Sequence, residues 1–416
     1  MSPLDEQDLT RALRAEAARP ELSPLGLDDV KGTARGIQRR RRIATGLAAA
    51  AVVATVVPGA LLIAGTGPAP DAPVDDPDVV EVAYGQRILL DLRELPAGDA
   101  AESPVLVDGD LVLPDGTVVE GPDTMGGGIA DVVPFGDTWA MAYDPGRGGE
   151  YDIVRVDTRE QLQSPDTLAQ SRLAHDPATG RVAWAEFGGG QLPTIVVVDE
   201  TGQELWRAEV AEGQAFEIVE PLGFDGEDVV YRFGGDPRTA EARRVGPDGV
   251  QRTITDGTPT SLSPAGDAMV VNEQRRDGTT CSAVVATDDG APLWPQACDF
   301  SLGTYSPDGR FVSTGISELS GPDAAATGVV DARTGELVAT DAYADGAQSI
   351  TGGARWESAS SLLLGYQQSD TDTDPAAPAR YALLRVDLGE GEAQTVGPVL
   401  DFDPAFDTGG LRHFPR

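Results

Sequence analysis

The sequence predicts an all-β repeat fold, and three observations predict it. The short turn YSPDGRFVS at 305–313 has a near copy, LSPAGDAMV, at 262–270. Fifty glycines and 31 prolines in 416 residues, with only 6% aromatics, suit many short strands joined by tight turns rather than a helical bundle. Val-rich runs such as RVAWAEF, TIVVVDE, DVVYRF and SAVVAT alternate poorly, as strands buried on both faces do.

Each element follows from the turn spacing. Weaker copies of the opening turn surround Gly136, Gly180 and Gly226, and with Gly266 and Gly309 the intervals are 44, 46, 40 and 43 residues. WESASSLLLGY continues the series without the glycine and places its strand after Ala359. A second turn, at Gly202, Gly249, Gly290 and Gly335, follows each first turn by 22 to 26 residues. VDTREQL near Arg159 and VDLGEGEA near Gly391 extend it, and Gly116 precedes Gly136 by 20 residues, as the end of a preceding unit would. Glycine supplies positive φ at these turns, proline fixes φ before it, and Asp or Thr caps the turned backbone. Each unit is therefore strand, turn, strand, loop, strand, turn, strand.

One such sheet cannot bury both faces alone. Four strands in about 40–50 residues indicate the blades of a β-propeller, packed face to face around a central channel. Residues 80–402 have room for seven antiparallel blades; six is the alternative, because the first is inferred mostly from its second half.

SPDGRFV at 306–312 and SPAGDAMV at 263–270 resemble the signature of TolB-type, WD-repeat-like propellers, and DETGQELW is similar to the repeats of quinoprotein-like propellers. The resemblance covers about 320 residues. It implies the fold and says little of the activity, because propellers host enzymes, scaffolds and receptors alike.

Ahead of the repeats, Ile43 to Gly65 runs 23 residues without a charge, long enough for one membrane-spanning helix. Arg39, Arg40, Arg41 and Arg42 precede it, whereas Asp71, Asp75, Asp76 and Asp78 follow. The positive-inside rule then puts residues 1–42 in the cytoplasm and the propeller outside, on a Pro/Asp-rich linker at 66–79, with a tail at 403–416. A cleaved or twin-arginine signal is the competing reading, but a 42-residue leader with no clear cleavage site argues for an uncleaved anchor. The expected localisation is the cell membrane, single-pass, with the propeller extracytoplasmic. The Arg-for-Lys bias, with Lys31 the only lysine, resembles that of a GC-rich, actinobacterial-type genome, with a salt-loving organism the alternative.

Charge restricts partners. The chain carries −37; residues 1–65 hold nine basic and seven acidic side chains, so the remainder carries −39. Such a surface repels phosphate, and nucleic acid is not an expected partner.

The two cysteines bear on topology. Cys281 and Cys298 flank a run centred on Asp289-Gly290, a favoured hairpin pair, and counting outward sets them opposite each other at a non-hydrogen-bonded position. A cross-strand disulfide is expected in an oxidising exterior, with two buried thiols the alternative and a bulge near Pro295 able to shift the register.

Candidate chemistry is sparse. His175 lies at a blade turn and His413 in the tail, and both are expected to cap or pack. Asp370, Asp372 and Asp374 stand at calcium-loop spacing, but Pro375 and Tyr381 occupy positions where an EF-hand needs Gly and Glu, so they form a weak metal candidate and a solvated loop is the simpler reading. Trp139, Trp184, Trp206 and Trp294 recur at similar offsets from the turns, as blade packing does. No catalytic residue and no cofactor is predicted, with Ca²⁺ the one weak possibility.

Residues 3–18 and 23–38 can form two short helices with no core of their own, or stay a disordered tail. Such a tail before a single span resembles membrane-bound anti-sigma factors, although their zinc-binding His-Cys motif is missing. The expected function is a binding or sensing module for a protein, glycan or small ligand, with a possible cytoplasmic partner of residues 1–42; the alternative is a propeller hydrolase or quinoprotein-like enzyme with its site in blade loops.

Overall fold

The computed structural model describes residues 82, 84–107, 109–121 and 128–402, apart from the segments 146–149, 165–166, 171, 189–191, 211–217, 237–238, 276–279, 299, 317–326, 344–347 and 370–378. The predicted span at 43–65, the arginines at 39–42, the aspartates 370, 372 and 374, and His413 lie outside the described residues. Among the described residues no helix is long and apolar enough to cross a membrane.

The Val-rich runs form seven sheets in chain order, one blade each. Blade 1 is Val105–Val107, Asp110–Val112 and Val118–Val119. Blade 2 is Gly128–Phe135, Thr138–Asp144 and Asp152–Arg155. Blade 3 is Ala174–His175, Val182–Phe187, Thr194–Val198 and Glu204–Glu209, with Leu168–Ala169 added to its second strand. Blade 4 is Val219–Asp225, Asp228–Phe233, Glu241–Val245 and Gln251–Asp256. Blade 5 is Thr258–Leu262, Ala268–Gln274 and Thr280–Ala286. Blade 6 is Phe300–Tyr305, Phe311–Ile316, Thr327–Asp331 and Leu337–Tyr343. Blade 7 is Gln348–Trp356, Ser361–Ser369, Ala379–Asp387 and Glu392–Phe402.

Seven apolar clusters join them, each spanning two consecutive blades. Phe135 and Ile153 of blade 2 meet Trp184 and Val196 of blade 3, and the series continues to Val105, whose cluster with Leu363, Leu383 and Val396 joins blade 1 to blade 7. The ring is therefore closed by packing at every joint.

The turns behave as their spacing predicts. Gly136, Gly180, Gly226, Gly266 and Gly309 all take φ between 58° and 78°, the region open to glycine. Ser306 receives the Gly309 N–H on its carbonyl at 2.9 Å and the Phe311 N–H on its Oγ at 2.9 Å; Ser263 does the same for Gly266 and Ala268. Close approach adds a second requirement, since a Cβ on Gly266 would lie 2.4 Å from the Phe224 carbonyl oxygen of blade 4. The second series holds too, and Arg159, which stands where the others have glycine, is the one non-glycine at positive φ (57°) among the described residues.

One expectation is refined. The spacing opens the first of seven blades at about residue 80, yet residues 86–98 complete the last two. Gln86–Leu90 pairs parallel with Leu337–Tyr343 of blade 6, and Ala97–Gly98 pairs parallel with Glu392–Phe402 of blade 7. Ile88 and Leu90 are buried in the cluster between these blades, while Leu89 points outward, 52% exposed. The Tyr366 hydroxyl and the Gln368 carboxamide of blade 7 bind the backbone at Leu90 and Leu92.

The disulfide forms between Cys281 and Cys298. Ser282 and Ala297 exchange both backbone hydrogen bonds (2.6 and 2.9 Å), which puts the adjacent cysteines at the predicted non-hydrogen-bonded site. The turn itself closes between Ala286 and Ala291, two residues out of step with that pair, so the ladder is irregular around Pro292 and Pro295.

Candidate site at the channel mouth

The first strands of the blades bring together residues far apart in sequence. At the end of the channel bearing the SPDG-type turns lies a cavity of about 420 Å³, to which all seven blades contribute: Pro104, Trp139, His175, Leu222, Pro264, Pro307 and Arg355, one from each. Pro177, Pro264 and Pro307 stand there because the turns at Gly180, Gly266 and Gly309 each place a proline ahead of the glycine. Trp356 and Glu357 of blade 7 complete the wall.

The polar groups are held firmly. Glu357 receives Arg385 Nε at 2.5 Å and Nη2 at 3.1 Å, a fork on a carboxylate, so its charge is already matched. The Trp356 indole N–H donates to the Thr304 carbonyl at 2.9 Å, and its ring stacks on Phe311. Burial pushes the His175 imidazole down, opposed by the Asp176 carboxylate, so the neutral ring is favoured. Asp176 accepts Arg181 Nη2 at 2.6 Å.

Below the mouth the channel is crossed by buried charge. Asp131 accepts the Val132 N–H on one oxygen and the Leu173 N–H on the other, both at 2.9 Å. Burial nonetheless pushes its carboxyl up from the ordinary 3.8 to about 6, against the pull of these bonds and of Arg355 and Arg172. The half-buried Arg355 guanidinium donates to the Val132 carbonyl at 3.2 Å, and Arg172 of blade 3 reaches the Thr260 carbonyl of blade 5 at 2.8 Å. The mouth thus offers two indoles, a neutral imidazole and a guanidinium in a partly desolvated bowl, groups suited to holding a flat apolar body that carries an acceptor.

Of the residues singled out by sequence, His175 and Trp139 line this cavity. Trp184, fully buried, is packing: its N–H donates to Glu186 at 3.0 Å. Trp206 and Trp294 pack at the joints after blades 3 and 5. Sequence reading does not single out Asp131 or Arg355; the signal for Asp131 is a charge inside the otherwise small and apolar strand GIADVVPF. Among the described residues no group of three or more His, Cys, Asp or Glu could hold a metal ion.

No family model matches the chain, and no curated protein does. Solved structures do. TolB from Acinetobacter baumannii is 16% identical with a TM-score of 0.38, over 68% of this chain and 65% of that one. A puromycin hydrolase mutant is 17% identical with a TM-score of 0.50, over 74% of this chain and 54% of that one. This chain therefore spans about two thirds of the first and about half of the second. At such identities the likeness speaks to fold alone, and the seven-bladed, all-β propeller is read from the chain's own seven sheets.

Proposed function

We propose that the protein is a membrane-tethered binding module that presents its propeller outside the cytoplasm and takes its ligand at the channel mouth. The observation that carries this reading is the cavity of about 420 Å³ walled by all seven blades, in which Trp139, His175 and Arg355 converge from blades 2, 3 and 7. The uncharged stretch 43–65 behind four arginines supports the tether, and the Cys281–Cys298 disulfide fits an oxidising exterior. Residues 1–42 would report occupancy to a cytoplasmic protein.

Photo-crosslinking from position 139, compared with exposed position 118, tests the mouth. A species recovered from 139 and not from 118 supports it, and equal recovery rejects it. Protease added to intact cells should cut the propeller; protection of that side overturns the orientation. Deleting residues 1–38 should remove a cytoplasmic partner from the captured set, and an unchanged set ends the signalling part of the proposal.

A further inference from the structure

A second cavity, of about 730 Å³, opens on the side of the propeller between blades 4 and 5, away from the mouth. The joint beside it is packed without rings. The neighbouring joints are filled by rings, Phe224, Tyr231 and Phe233 between blades 3 and 4 and Trp294 and Tyr305 between blades 5 and 6, whereas the blade 4/5 cluster contains none. Val271, Ala283 and Val285 line its apolar floor.

The outer wall is thinly built, as it also is in the three-stranded blades 1 and 2. Blade 5 has no regular fourth strand: residues 291–298 touch its third strand through two bridges only, Val285 to Pro292 and Ser282 to Ala297. Two fixtures hold this segment. Cys298 is bonded to Cys281, and the Trp294 indole donates to the Ala332 carbonyl at 3.0 Å while its ring sits against Gly335 of blade 6. Around the opening stand the carboxylates of Asp256 and Glu273 and the carboxamides of Gln274 and Gln296. Gln296 is pinned, donating to Glu273 at 3.0 Å and accepting from Arg275 at 3.0 Å.

We infer that this groove is a binding site for a small organic cation with an apolar body, its outer wall kept in place by the disulfide. The volume suits a ligand of that size, the floor removes the apolar body from water, and Asp256 and Glu273 meet the cationic group at the rim. The strongly acidic chain concentrates cations around it, which adds to the on-rate. An anion would face two carboxylates on an apolar floor, and a neutral body would gain the floor alone.

Titration of the purified full-length chain with a naphthylethylammonium probe, and with naphthylethanol as its neutral counterpart, tests this. The cation is expected to bind at least tenfold more tightly than the alcohol. The double change Asp256→Asn and Glu273→Gln, at rim positions that leave the core intact, should erase that preference. Ala283→Leu, which fills the floor, should weaken both probes, and reduction of the disulfide should weaken both without exchanging their order. Equal affinity for the two probes, no binding of either, or binding indifferent to Ala283→Leu overturns the inference. Tryptophan fluorescence of each variant verifies that it has folded, so an unfolded variant is replaced by Ala283→Val rather than read as support.

Discussion

Blades 6 and 7 and blade 5 finish their outer edges in opposite ways. The first two each gain a fifth, parallel strand from the segment 86–98, whereas blade 5 lacks even a regular fourth and is held by a covalent bond. In the first case Ile88 and Leu90 bury apolar surface while the segment adds a parallel ladder along the blade edge, so the edge is stabilised by burial. In the second, Pro292 and Pro295 cannot donate to a ladder, and the bridge limits how far the unfolded chain can roam. The difference teaches that a blade edge can be secured from either side of the folding equilibrium.

The largest expected effect falls on the burial-dependent edge. Leu90→Ala should cost about 2–5 kcal/mol in urea unfolding, whereas exposed Leu89→Ala should stay within about 0.5 kcal/mol. Equal effects would mean that the parallel strand contributes little. On the covalent edge, the pair Cys281→Ser and Cys298→Ser should cost about 3 kcal/mol, for a bridge separating its cysteines by 17 residues. Reductant should lower the melting temperature of the parent chain and leave that of the double variant unmoved.

The inner edge supplies a control that touches neither. Asp131 has its folded pKa raised from 3.8 to about 6, so in that window the native state holds more protons than the unfolded chain. Its contribution is therefore most favourable below pH 4 and is lost as pH rises through about 6, a change of about 3 kcal/mol. Subtracting the profile of Asp131→Asn from that of the parent isolates this slope, and a flat difference would show that the buried carboxyl titrates normally. The smallest effect belongs to Arg159→Gly. Relief of the left-handed backbone is worth about 1 kcal/mol. It is offset by loss of the hydrogen bond to the Glu120 carbonyl and of the contact over Tyr143, leaving a shift of less than about 1 kcal/mol in a melting experiment.

Much of the architecture was legible because turn chemistry is local. SPDG and D-x-x-T-G strings must turn where they stand, so spacing alone located both hairpins of most blades, even the one where Arg159 replaces glycine. The cross-strand disulfide was legible for the same reason, by counting from Asp289-Gly290. The parallel strand at 86–90 was not: QRILL has the alternation of any half-buried strand, and nothing local says that its partner lies at 337–343. The mouth escaped for a related reason. Trp139, His175 and Arg355 come from three blades, and only ring closure makes them neighbours.

That closure has a consequence for how the chain is made. The Leu90 carbonyl waits for the Tyr366 hydroxyl, 276 residues later, and the strand that carries it cannot pair until blade 6 is complete. Blades 2 to 5 can assemble in order as they emerge, each against the last, while the opening segment stays unpaired throughout. Contacts of such sequence separation form late and slowly. Docking of residues 86–98 onto blades 6 and 7 is therefore expected among the late events of folding.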